Sequence, residues 1–205
     1  MKNVASQTVL AALTLAAGAC VVIPAPIAAA ASPGHHRSRQ AHADAACPGA
    51  NAAVSHASAA ELRSAVVCLI NQQRAIHHLP PLQASPRLNR SAQNWTNVMV
   101  ATDQFTHGAN FASRITAVGY AWRAAGENIA TGFATPRSVV RAWMASTGHC
   151  ENILSPIYRN VGTGVSRRVV RGFATGAGTW TQDFALGVHQ SPPSRNSGPA
   201  NGCPY

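Results

Sequence analysis

Gly126-Glu127-Asn128-Ile129-Ala130 sets a carboxylate among small and apolar residues in a chain of 205 residues that holds only six acidic ones. Such a surround marks a buried element, and a carboxylate inside it requires a partner. The piece is expected to be extended, from Ala121 to Ala130. On its N-terminal side the helix start signals repeat. Ser58 with Glu61 is a capping box, and Leu62, Val66, Leu69, Ile70 and Gln73 follow at helical spacing, which predicts a helix to about His77 that Pro80-Pro81 stops. Ser85 with Pro86 opens a second helix whose face is Leu88, Ala92, Trp95, Met99 and Thr102, and which delivers Phe105-Thr106-His107 at its end. Thr135 with Pro136 opens a third, striped by Val139, Val140, Trp143 and Met144 and expected to close at Gly148. Beyond it, Val161, Thr163 and Val165 alternate, as do Trp180, Gln182, Phe184 and Leu186, each run bounded by glycine. Gly162 and Gly164 suit a strand that a backbone or helix approaches closely. Helices arriving first and antiparallel strands gathering late predict an α+β fold with helices on both faces of a small sheet.

Outward from this core the chain changes character. Lys2, an apolar run from Val9 to Val22 and the alanines at 28–31 read as a secretory signal peptide over 1–31, too short for a membrane anchor, so a secreted chain without a transmembrane segment is expected. Cys20 raises lipoprotein processing as the alternative, against which Ala17 stands where leucine is usual. Residues 32–57 read as a flexible linker, 58–188 as one domain and 189–205 as an irregular tail. Loss of Lys2 lowers the net charge of +10 by one and leaves arginine as the only fixed cation. A basic exported chain is drawn to anionic polymers or lipid headgroups, although its arginines are scattered apart from Arg167, Arg168 and Arg171. No nucleic-acid-binding signature accompanies them, and a monomer is expected. Without the signal, Cys47, Cys68, Cys150 and Cys203 remain, which suggests two disulfides. Of the three possible pairings, Cys47–Cys68 with Cys150–Cys203 is favoured, because it fastens the N-terminal segment to a helix and the tail to the body. A zinc site or nucleophile at Cys150 lacks the spacing such chemistry uses.

His107 precedes Gly108 and His149 follows Gly148, both at expected element ends where side chains can converge on Glu127. Two imidazoles and one carboxylate could hold a divalent cation, zinc above all, with water in an open position. A hydrogen-bonded His–Glu cluster explains the same residues without metal. No G-x-S-x-G elbow, H-E-x-x-H helix, Walker loop or dinucleotide fingerprint is present.

The order Leu69-Ile70-Asn71-Gln72-Gln73-Arg74, Phe105-Thr106-His107, Gly119-Tyr120, Gly126-Glu127-Asn128-Ile129-Ala130, Trp143-Met144-Ala145-Ser146, Gly148-His149, Asn152-Ile153-Leu154, Val161-Gly162-Thr163-Gly164-Val165 and Trp180-Thr181-Gln182-Asp183-Phe184 resembles the bacterial branch of the CAP superfamily (SCP/PR-1-like). The resemblance implies an α–β–α sandwich with a small antiparallel sheet, and a cleft of two histidines and usually two acids. It maps onto His107, Glu127 and His149, with Ser146 where other members place a second glutamate, which weakens any cation site. Glu151 is expected in a solvent-facing salt bridge. Two functions follow as expectations. One is an extracellular binding module for a lipid, wall polymer or other envelope ligand. The other is a metal-assisted hydrolase in which His107 and His149 hold zinc while Glu127 and His149 are the catalytic candidates. The missing acid and the lack of an activated nucleophile favour the module. Phe111, Trp122 and Phe133 could offer contact surface, but more simply belong to the core.

Overall fold

The computed structural model describes residues 47–192 and 203–204. The expected signal peptide, Cys20, residues 32–46 of the expected linker, and 193–202 and 205 of the tail lie outside the described residues. The elements run α1 (Ala59–Ile76), β1 (Gln83–Ala84), α2 (Pro86–Thr102), α3 (Phe111–Ala117), β2 (Trp122–Thr131), α4 (Pro136–Met144), α5 (Thr147–Ile153), β3 (Asn160–Ser166) and β4 (Thr179–Gly187). Each of the three start signals read from the sequence caps a helix: Ser58 with Glu61 closes a reciprocal box, Ser85 accepts from the Leu88 N–H, and Thr135 pairs with Ser138. The sheet order is β1-β3-β4-β2. β4 runs antiparallel to both neighbours, whereas the two-residue β1 pairs parallel with β3, so the sheet is mixed rather than wholly antiparallel.

Strand alternation sorts the two faces. Val161, Val165, Trp180, Phe184 and Ala130 point to one side, where they join Leu62, Val66, Leu69 and Ile70 of α1 and Val139, Val140 and Trp143 of α4. On the other side, α2 lies against β3 and β4. A Cβ on Gly162 would come within 2.1 Å of the Leu88 carbonyl carbon, and one on Gly164 within 2.3 Å of the Ala92 oxygen, so the bare strand is what lets the helix approach. At that distance α2 side chains finish the strand's hydrogen bonding. Asn89 Oδ1 accepts from Thr163 N at 2.8 Å, Gln93 Oε1 from Val165 N at 3.1 Å, and Gln93 Nε2 donates to Val165 O at 3.0 Å.

Both disulfides of the favoured pairing form, Cys47–Cys68 and Cys150–Cys203. Other expectations need correcting. Residues 47–57, assigned to the linker, are folded: Cys47, Ala50 and Val54 are buried, and Val54 N donates to Ala134 O. Their turns carry no period to read, so only the disulfide and one valine marked them. Gly148 does not close α4, which stops at Met144; it lies in the first turn of the separate helix α5. Helix α3 went unread. Asn110 caps it by accepting from Ser113 N, and Gly119, at φ +76°, follows its end with a backbone turn that glycine adopts without strain. Phe111, Trp122 and Phe133 pack, half-buried, against core clusters. Among the described residues no helix is long and apolar enough to cross a membrane.

Candidate functional site

β2 is an edge strand, and its outer margin gathers the candidate residues. Glu127 points to the face covered by α2 and α3, and its side chain is 1% exposed. The His107 Nδ1 stands 2.8 Å from Glu127 Oε1. A carboxylate can only accept, so Nδ1 carries the proton and Nε2 is left toward the half-exposed side of the ring. The other carboxylate oxygen is held by Arg114, from α3. Arg114 Nη1 also donates to the His107 carbonyl at 3.0 Å, and its guanidinium lies 4.0 Å from the Trp95 ring centre. Trp95 in turn donates to Thr106 O at 2.9 Å, so one chain of contacts from α2 through Arg114 holds the segment that delivers His107.

The opposite face of the strand supplies the second histidine. Asn128, the neighbour of Glu127, turns to α5, where its Nδ2 donates to the His149 carbonyl at 3.2 Å. Asn152 Nδ2 closes the frame by donating to Asn128 Oδ1 at 2.9 Å and to Glu127 O at 3.1 Å. Burial first, and then the neighbouring His107, push the His149 pKa below its ordinary value, so its imidazole is neutral at physiological pH and available as an acceptor. Ser146 is the N-cap residue of α5, and its hydroxyl makes no capping bond. Glu151 is exposed.

Two residues of the site escaped sequence reasoning. Arg114 sits on the unread helix, and its signal was positional: Phe111 and Ile115 at i and i+4 behind Asn110 place residue 114 beside the strand they cover. Asp183 stands directly across from Glu127 in the β2–β4 register and is fully buried. Burial, then the Glu127 carboxylate, raise its pKa well above the carboxylate range. Ser91 and Glu127 bias its proton without closing a well-formed hydrogen bond to either Asp183 oxygen. The alternation of 180–186 could have flagged it, since an acid on the face opposite Trp180 and Phe184 must point at α2.

These contacts decide whether the cleft fits a divalent cation. Both Glu127 oxygens are engaged, one of them by a guanidinium, and among the described residues no three His, Cys, Asp or Glu side chains are placed to hold a metal ion. The donor set does not fit one as it stands.

Helices packed on both faces of a small sheet are an architecture shared with solved SCP-type domains. The chain belongs to the CAP family, described as the cysteine-rich secretory protein family, whose profile matches residues 67–184. It is 36% identical over 124 residues to a Bacillus subtilis (strain 168) protein called "Uncharacterized protein YkwD", a match covering 58% of this chain and 45% of the relative. The chain thus spans less than half of that relative. Its fold is similar to the SCP-domain extracellular protein of Bacillus anthracis str. Ames (TM-score 0.53, 21% identity, 63% of this chain and 44% of that one). It is also similar to an outer surface protein of Borrelia burgdorferi (TM-score 0.53, 18% identity, 60% of this chain and 90% of that one). At these identities the two structures show the fold alone.

Proposed function

We propose that the protein is an extracellular binding module that takes an elongated apolar ligand, such as a lipid acyl chain, between α1 and α4. The observation that carries this reading is a groove of about 700 Å³ lined by Leu69, Ala75, Ile76, Val140 and Met144. Ile76 is 65% exposed there, an apolar side chain that a seated ligand would remove from water. Arg141 lines the same groove and is exposed, placing a cation where an anionic headgroup would lie. The placement outside the cell rests on the signal-like residues 1–31 and on relatives described as extracellular or as an outer surface protein. Metal-assisted hydrolysis draws no support from a cleft whose carboxylate is already held by Arg114.

The test is titration of the purified, disulfide-bonded protein with a fluorescent fatty acid and competition by unlabelled palmitate. Saturable one-to-one binding that Ile76→Gln weakens at least several-fold, with an unchanged circular dichroism spectrum, is expected, because Ile76 lines the groove from its exposed side. Absence of saturable binding, or binding indifferent to Ile76→Gln, overturns the reading.

A further inference from the structure

The arginine cluster read from the sequence is not used by the cleft or the groove. It lies in the connection from β3 to β4, whose root is pinned: Gly178 N donates to Arg167 O at 3.1 Å, Thr179 Oγ1 to Arg168 O at 2.8 Å, and Val170 N to Thr131 Oγ1 at 3.1 Å. From this fixed base the chain turns out into solvent through Arg171-Gly172-Phe173. Phe173 is 58% exposed, the one aromatic ring among the large exposed apolar side chains of the described residues. Its ring centre lies 5.8 Å from that of Phe105, the two planes tilted by 50°, so the exposed ring is braced from behind. Arg167 and Arg168 are exposed and make no ion pair among the described residues, whereas Arg171 pairs with Asp103.

We propose that the loop 167–175 is a docking surface for an anionic phospholipid bilayer, with Phe173 entering the interface while Arg167 and Arg168 meet headgroup phosphates. A soluble polyanion would be met by the arginines alone; a ring held outward on a pinned loop lowers its free energy only at a hydrocarbon boundary. Each arginine near an anionic surface strengthens binding by roughly fivefold. The two unpaired ones therefore make roughly 25-fold together, with the Asp103-bound Arg171 adding little. The surface is separate from the α1–α4 groove, and neither proposal needs the other.

The experiment is sedimentation of the disulfide-bonded protein with phosphatidylcholine vesicles, with or without phosphatidylglycerol, and in parallel with soluble poly(glycerol phosphate). The protein is expected to bind the phosphatidylglycerol vesicles and not the neutral ones. Arg167→Gln/Arg168→Gln should weaken that binding by roughly 25-fold, and Arg87→Gln/Arg90→Gln, the same charge change elsewhere, far less. Phe173→Ser should weaken vesicle binding at least several-fold while leaving polymer binding and the circular dichroism spectrum unchanged. Equal binding to neutral vesicles overturns the proposal. So does a Phe173→Ser variant that binds vesicles like the parent, which would mark the loop as a polyanion site. Ile76→Gln should bind vesicles normally, which separates this surface from the groove.

Discussion

Arg114→Met tests whether the guanidinium is the cation that the cleft is built around. Methionine keeps the side chain's length and its apolar contact with Trp95 but removes the charge. The loss comprises the ion pair with Glu127, the 3.0 Å bond to the His107 carbonyl and the cation–π contact at 4.0 Å. Removing one member of a buried pair costs roughly 3–5 kcal/mol. Here Arg114 is 19% exposed and His107 still shields Glu127 at 2.8 Å, which discounts the cost below that range, to about 2–3 kcal/mol. For a domain of this size that is a fall of roughly 4–12 °C in Tm, measured by circular dichroism with the disulfides intact. The double variant Arg114→Met/Glu127→Gln leaves no orphaned charge and should be more stable than the single one by about 1 kcal/mol. Zinc titration supplies the second readout: neither the parent nor Arg114→Met takes up stoichiometric zinc, because freeing Glu127 Oε2 adds no further ligand to a set that lacks three placed ones among the described residues. A Tm within about 1 °C of the parent would refute the reasoning, as would stoichiometric zinc on the parent abolished by His107→Ala.

Gly162→Ala should be strongly destabilising, at roughly 3 kcal/mol or more, because its methyl would meet the Leu88 backbone at 2.1 Å and α2 cannot retreat without breaking the Asn89 and Gln93 bonds to β3. An unchanged urea midpoint would show that helix and strand stand farther apart. Asp183 gives a signed pH effect. Its folded pKa is raised, so between the ordinary carboxylate range and the raised value the folded chain holds a proton that the unfolded chain has released, and stability falls as pH climbs through that window. Asp183→Asn removes this titration and should gain Tm over the parent at about pH 8 relative to about pH 5; parallel pH profiles would refute it.

The readable parts of the fold were those in which one residue type carries one local consequence. Ser85-Pro86 and Thr135-Pro136 begin helices because a hydroxyl cap and a preset φ act within one turn, and the alternation of 161–165 and 180–186 follows directly from the pleat. Helix α3 was lost because its seven residues hold only two large apolar side chains, a turn apart, which is too little for a period. The turns at 47–57 were lost because tertiary contacts, not local preference, fix them. The site divides along the same line. His107, Glu127 and His149 stood out by residue type. Spacing gives the face on which Arg114 and Asp183 stand, but they acquire their partners only when α3 lies on β2 and β4 pairs with β2 in register, which is a property of tertiary placement.

That division also accounts for the character of the cleft. With Ser146 where a second acid could stand, the acid beside Glu127 comes instead from the neighbouring strand, buried and biased toward its neutral form. The remaining negative charge is that of Glu127, and Arg114 meets it with a positive charge covalently part of the fold. A covalently supplied cation does not depend on an outside ion, and its cost is that the carboxylate loses the open face on which metal-assisted chemistry relies. His107 remains half exposed and His149 neutral, so what the cleft offers a visitor is hydrogen bonding from two imidazoles on a rigid, charge-balanced floor. Such a floor suits recognition by hydrogen bonding, whereas the proposed apolar ligand would lie elsewhere, in the groove between α1 and α4.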